Sequence, residues 1–269
     1  MRWYKLIFQQ QQPIHIGKFE WGVVSETEIF IPGWTIWGAL VNAYIIKNKK
    51  YKQNAIKQIQ QKFEKITNFF PIIDGEEYFP TYNNGEFVFQ SKNNEKITES
   101  EFRYEYVKAE FRTAVEPLSR QAKENHLFEF EYIIPKLSWV GLLGLKKDED
   151  IEKVLPDQIF IGGDSRYGYG LMERTSHEEI LKEELSQWNL TKDGALEHDS
   201  EKPLRNFMMF DPKISFEGEL RLLADFNFQS QIPEIENANY FISVGSIIKE
   251  TLKDRSFSLS KGRFYVKSS

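Results

Sequence analysis

The sequence predicts an α+β fold in two units, and three observations carry that prediction. Short alternating or aromatic-rich runs recur along the chain, while only a few stretches have helical spacing. A glycine-rich segment over residues 162–170 closes the first series of elements, and after it the pattern restarts with a charged helix and further strands. The expected units are residues 1–176 and a smaller one of residues 177–269, because a chain of 269 residues suits one large domain or two small ones.

Arg2 to Gln10 begins aromatic-rich and alternates imperfectly, as a first strand does. The polar run Gln9 to Gln12 leads to Pro13-Ile14-His15-Ile16-Gly17, and a loop follows through Trp21-Gly22 to Glu28. Phe30-Ile31-Pro32-Gly33 enters a helix from Trp34 to about Lys47, with Trp37, Leu40, Val41 and Tyr44 on one face. Lys47 to Lys65 is expected to continue as a polar helix with Ile56, Ile59, Phe63 and Ile66 as its apolar stripe. Its seven lysines against the single Glu64 make it locally basic. Turn signals at Asp74-Gly75 and Asn83-Asn84-Gly85 divide Phe69 to Gln90 into short strands. Phe102 to Val115 reads as a strand or hairpin arm, Pro117 to Asn125 as a polar crossing and Leu127 to Ile134 as a strand. Asp148 to Leu155 reads as a short acidic helix, and Phe160 to Thr175 as a glycine loop feeding a strand. Beyond it, helices are expected over Glu178 to Leu190 and Ser246 to Lys253, with strands over Ile214 to Asn227 and Arg263 to Lys267. The β-α-β order in both halves points to a duplicated ferredoxin-like (RRM-like) plan with the second copy reduced, although no internal repeat is visible.

Composition excludes several functions. Forty-one per cent hydrophobic and 15% aromatic residues supply a core, and the mean hydropathy of −0.51 is that of a soluble chain. The net charge of −5 and pI near 5.6 argue against coating nucleic acid non-specifically, but leave room for a local basic groove. With no cysteine, disulfides, thiolate metal sites and cysteine nucleophiles are excluded. Ile29 to Ile46 is apolar, but Pro32-Gly33 and Asn42 interrupt it, so it reads as a buried helix and not a membrane span. No signal peptide is expected from Met1-Arg2-Trp3-Tyr4-Lys5, and the expected location is cytoplasmic.

The four histidines, His15, His126, His177 and His198, are scattered at no metal-ligating spacing, so no metal or cofactor is expected. His126, His177 and His198 sit among charges and read as exposed. His15 has two readings: a strand-end histidine bonded to backbone, or a site histidine touching phosphate or working as acid or base. The densest signal is Gly162-Gly163-Asp164-Ser165-Arg166-Tyr167-Gly168-Tyr169-Gly170. Glycines let backbone amides approach an anion, Arg166 adds a fork for phosphate, and Tyr167 and Tyr169 offer stacking faces. Neither a Walker loop nor a dinucleotide fingerprint fits, since no Gly-Lys-Ser/Thr follows and a strand is expected after the loop. Pro32-Gly33-Trp34 opens a helix whose free amides would attract phosphate, with plain helix entry as the other reading. Arg103, Lys108, Arg112, Arg120 and Lys123 space cations through the hairpin region, interleaved with glutamates.

These pieces, in this order, resemble the RAMP superfamily of CRISPR-associated RNA-binding proteins. The likeness rests on Ile14-His15-Ile16-Gly17, on Phe30 to Leu40 with its Ile-Pro-Gly and Gly-Ala-Leu blocks, on Arg112 to Val115 leading to Leu127 to Glu131, and on the segment from Ile161 to Gly170. It spans the first three quarters of the chain. The glycine loop stands about a hundred residues before the C-terminus, which resembles the Cas-five group more than the repeat-cleaving Cas-six group. That resemblance implies a non-catalytic subunit that caps the 5′ tag of crRNA. It implies as neighbours a Cas-seven-type backbone subunit and, in type III systems, a large Cas-ten-type subunit. The RNA-binding residues it implies, taken with the reading above, are His15, Gly17, Lys18, Gly33, Trp34, Arg112, Arg120, Gly162, Gly163, Ser165, Arg166, Tyr167, Gly168, Tyr169 and Gly170. Arg112 and Arg120 would lie on a thumb-like hairpin. The alternative is a metal-independent endoribonuclease acting on repeat RNA, with His15 as its acid or base.

Overall fold

The computed structural model describes residues 1–267 except 198, 200, 228–233 and 250–255. The chain opens with β1 (Arg2–Gln10), whose Trp3, Tyr4, Leu6 and Phe8 are buried. A small hairpin follows, β2 (Gly17–Trp21) and β3 (Val24–Thr27). Pro32 then stands immediately before α1 (Gly33–Asn48), where its missing N–H costs nothing. The helix stops at Lys49, which takes a left-handed conformation (φ 51°) and donates its N–H to the Ile46 carbonyl. The expected continuous helix to Lys65 is therefore broken, and α2 covers only Gln53–Lys62. Ile59, Phe63 and Ile66 are buried as their spacing predicts.

β4 (Phe70–Ile73), β5 (Glu76–Asn83), β6 (Glu86–Ser91) and β7 (Lys96–Thr98) form a meander turned by Asp74-Gly75 and Asn84-Gly85, all four at positive φ. Thr98 then caps α3 (Glu99–Tyr106) through a reciprocal bond pair with Glu101. The first five residues of the expected Phe102–Val115 arm are thus helical, because that cap captures them, and the rest is strand. β8 (Val107–Val115) and β9 (Ala122–Ile133) form a long hairpin, and β10 (Ser138–Leu145) is buried almost throughout. α4 (Ile151–Val154), β11 (Gln158–Phe160) and β12 (Leu171–Glu179) complete the first unit, with the glycine loop between β11 and β12.

Eight strands form the main sheet in the order β11-β12-β1-β10-β4-β5-β6-β7. Its four inner strands β12-β1-β10-β4 pair antiparallel, with α1 between the first and second of them in the chain and α4 between the third and fourth. A second sheet, β2-β3-β9-β8, carries the hairpin away from the core.

The boundary expected after residue 176 falls inside β12. The helix expected over Glu178–Leu190 shortens to α5 (Lys182–Ser186), because β12 pairs with β1 as far as Glu179. There follow β13 (Phe207–Met209), β14 (Phe216–Glu217), β15 (Leu220–Asn227), β16 (Glu234–Ile242), β17 (Ile247–Ile248), β18 (Phe257–Ser260) and β19 (Arg263–Val266). Five of these make the sheet β15-β16-β13-β19-β18, and β14 pairs with β17. The helix expected over Ser246–Lys253 is contradicted at Ile247-Ile248, which pair as a strand with Phe216-Glu217; residues 250–253 lie outside the described residues. One apolar cluster spans both sides of the expected boundary, from Trp3 and Phe8 to Phe207, Phe241 and Phe264. Among the described residues no helix is long and apolar enough to cross a membrane.

Candidate nucleic-acid interface

The glycine loop lies against the segment that follows β1. Gly163 donates its N–H to the His15 carbonyl at 3.2 Å, and Gly170 donates to the Pro13 carbonyl at 2.9 Å. Gly162 and Gly170 both have positive φ, and a Cβ on either would stand 2.0 Å from the His15 carbonyl oxygen or 2.4 Å from that of Ile161. Close backbone packing therefore requires these two glycines. Gly163 and Gly168 face open space. Between them Ser165–Tyr167 make one 3-10 turn, in which Tyr167 and Gly168 spend their amides on the Asp164 and Ser165 carbonyls. Ser165, Arg166, Tyr167 and Gly168 are exposed, and Arg166 makes no ion pair among the described residues.

Tyr169 is different. It is 7% exposed, set edge-on against Phe130 and Tyr132 at 5.7 Å each. Its face is therefore not a free platform for a base, which corrects the sequence reading. Arg112 holds it there. The guanidinium lies 3.9 Å from the Phe130 ring centre and 4.8 Å from that of Tyr169, donates to the Tyr169 hydroxyl and pairs with Asp164 at 3.3 Å. The hairpin is thereby fastened to the loop through Arg112. Burial, and then a hydrogen bond to Glu110, push the Tyr132 phenol up to about 12, so it stays protonated.

His15 is 8% exposed, and its ring stacks on Phe130 with centres 4.2 Å apart. Nδ1–H donates to the Glu131 carbonyl at 2.7 Å, leaving Nε2 as an acceptor 3.5 Å from the Ser25 hydroxyl. Burial holds its pKa below the ordinary value, so the ring is neutral at pH 7. Of the two readings left open, the backbone-bonded histidine describes this geometry. Gly17 lies beside it, with its Cβ position 3.8 Å from Nε2.

Three expected contacts are committed elsewhere. Lys18 pairs with Glu26 at 2.9 Å and Glu99 at 3.1 Å, in a network where Arg103 also binds Glu26, Glu99 and Glu131. Two cations against three carboxylates leave no surplus positive charge for phosphate. Gly33 is buried; its N–H donates to the Asn68 side chain at 2.8 Å, and a Cβ would meet the Gly262 backbone at 2.5 Å. Trp34 packs between Phe207, at 5.5 Å, and the Arg263 guanidinium, at 4.2 Å. The helix entry is thus packed against Phe207, Gly262 and Arg263 and is closed to an anion.

Arg120 sits at the exposed tip of the β8–β9 hairpin with φ 57°, closing the turn through its N–H to the Glu116 carbonyl. Beside it Leu118 is fully exposed, and Phe111, Val115 and Leu127 are more than half exposed. His177 is not the exposed residue its neighbours suggested. It lies half-buried on β12, within 3.1 Å of Glu152 and 2.6 Å of an Arg174 nitrogen. His126 is exposed, and His198 lies outside the described residues. Among the described residues no three His, Asp or Glu side chains cluster as a metal site. The sequence reading missed Phe130, Tyr132 and Asp164; only the alternation of β9 marked Phe130 and Tyr132 as facing residues.

The fold resembles a chain in the cryo-EM structure of the type III-B Cmr-beta complex bound to cognate target RNA and AMPPnP. The TM-score is 0.63 at 12% identity, over 91% of this chain and 85% of that one. It also resembles a chain of the Csm3-Csm4 subcomplex in the type III-A CRISPR-Cas interference complex. There the TM-score is 0.51 at 12% identity, over 99% of this chain and 98% of that one. No curated protein sequence matches the chain. Residues 12–173 match the RAMP superfamily, a span that starts just before His15 and ends just beyond the glycine loop. With more than half of its length matched, this chain belongs to the RAMP superfamily.

Proposed function

We propose that the chain is a crRNA-binding subunit of a type III CRISPR effector complex that holds the repeat-derived 5′ tag and starts the backbone filament. The observation that carries this reading is the division of labour in the glycine loop. Gly162, Tyr169 and Gly170 anchor it, while Ser165, Arg166, Tyr167 and Gly168 are exposed, and the first three side chains have no partner among the described residues. A presented arginine beside a presented tyrosine, 78% exposed, suits a phosphate and a splayed base. The neighbouring hairpin, with its exposed apolar side chains and Arg120, extends the surface along the guide.

The order of the four inner strands of the main sheet supports reading the first unit as ferredoxin-like, with the second unit a reduced relative. The remaining surface suits protein neighbours of the Cas-seven and Cas-ten types. On the outer strand pair β15–β16, exposed Leu222 lies opposite exposed Tyr240. We assign no RNA cleavage to the chain, since the His15 ring is packed and its Nδ1 is spent on a backbone carbonyl. The test is fluorescence anisotropy with RNA bearing its own tag or a scrambled one, across a salt series. Preference for the true tag with a shallow salt slope supports the reading, and equal affinity with a steep slope opposes it. Single-site cleavage of repeat RNA in EDTA, lost in His15→Ala, would make the chain a ribonuclease instead.

A further inference from the structure

A second polar site lies at the other end of the main sheet, four strands from the glycine loop. Between β5, β6 and the segment before β13 is a cleft of about 170 Å³, lined by Phe79, Thr81, Gln90, Lys92, Pro203 and Arg205. Arg205 is partly exposed, and its guanidinium is covered by protein on one side only. One face lies on the Phe79 ring, 4.1 Å from its centre. Two of its nitrogens reach backbone carbonyls at long distance: Nε to Gln187 at 3.4 Å and Nη1 to Pro80 at 3.3 Å. Nη2 makes no hydrogen bond among the described residues and is not sealed from solvent, and Arg205 lines the cleft.

Among the described residues no carboxylate forms an ion pair with this guanidinium. Glu77 is the acidic group that acts on Arg205, and it is paired with Lys5. Glu95 accepts from the Tyr78 hydroxyl at 2.7 Å. Burial accordingly lowers the Arg205 pKa to about 9, the mark of a guanidinium short of compensation. Lys92 lines the same cleft, exposed and without an ion pair among the described residues.

We propose that this cleft is an oxyanion site, in which Arg205 Nη2 and the Lys92 ammonium together hold one phosphate group. A planar fork held on an aromatic ring, with a flexible ammonium lining the same cleft, provides both orientation and charge. The cleft is large enough for one tetrahedral anion. The site is independent of the glycine loop, so its occupancy does not depend on the RNA reading above.

The experiment measures thermal unfolding of the full chain in inorganic phosphate against chloride at equal ionic strength. Wild type should gain about 3 °C at tens of millimolar phosphate, as expected for a millimolar site. Lys92→Glu, a change at an exposed residue, should lose that gain, and its melting temperature in chloride should not fall below that of wild type. Arg205→Gln should lose it as well, even if its melting temperature in chloride is lower. Adding a short RNA with internal phosphodiesters but no terminal phosphate separates the sources. Competition with inorganic phosphate at this cleft, abolished in Lys92→Glu, assigns the phosphate to RNA, and lack of competition assigns a free or terminal phosphate. No gain in wild type, or the same gain in Lys92→Glu and Arg205→Gln, would overturn the proposal.

Discussion

Replacing Gly162 by alanine should cost far more than replacing its neighbour Gly163. Gly162 has φ +72°, where an L side chain costs about 1–2 kcal/mol. Its Cβ would also stand 2.0 Å from the His15 carbonyl oxygen, well inside van der Waals contact. That oxygen accepts from Gly163, so it cannot retreat without breaking the bond that seats the loop. Overpacking against fixed atoms costs about 1–3 kcal/mol, giving roughly 2–5 kcal/mol for Gly162→Ala. Gly163 has ordinary φ and nothing within 4 Å of its Cβ position, so Gly163→Ala should stay within about 0.5 kcal/mol of wild type. Urea unfolding with a common m-value measures both differences. A loss below about 1 kcal/mol for Gly162→Ala, or equal losses for the two, would refute the assignment of Gly162 to backbone packing.

Arg112→Ala should lower stability by about 1–3 kcal/mol and speed hydrogen exchange over residues 162–168, because it removes the stacked guanidinium and its bond to Tyr169. Unchanged exchange there would show that the hairpin does not fasten the loop. Trp34→Ala should cost roughly 2–4 kcal/mol by emptying the seam against Phe207 and Arg263, and the protein that remains folded should bind RNA as wild type does. Weaker binding per folded molecule would return Trp34 to the RNA interface. His15 titrates below 6.5 in the folded chain because it is buried, so on acidification the unfolded chain takes up this proton first. The stability it contributes is present above about pH 6.5 and lost as the pH falls toward the folded value. His15→Gln should flatten that part of a pH–stability profile, and identical slopes would contradict the shift.

Much of the first unit was legible because its signals are local. Alternation marked β1 and β9, Pro32-Gly33 marked the start of α1, and Asp74-Gly75 and Asn84-Gly85 marked their turns. The central strand β10 went unread because Ser138–Leu145 is buried on both faces and does not alternate. At the site, exposure was the missing quantity. Tyr167 and Tyr169 are chemically alike in the sequence, yet Phe130 and Tyr132, more than thirty residues away, bury only the second. Lys18 and Gly33 misled for a similar reason. Their partners Glu99, Asn68 and Gly262 come from distant segments that only the tertiary fold brings close. Arg205 carried no motif, and its isolation from carboxylates is visible only in three dimensions.

The central claim is that the projecting half of the glycine loop contacts RNA. The most direct measurement compares the affinity of wild type and Arg166→Ala for tag-bearing crRNA, with melting temperatures taken on the same samples. Arg166 is exposed and makes no ion pair among the described residues, so its loss should leave the melting temperature unchanged. Losing one charge-assisted phosphate contact should weaken tag binding by roughly tenfold. Equal affinity of the two proteins, with both fully folded, would contradict the account.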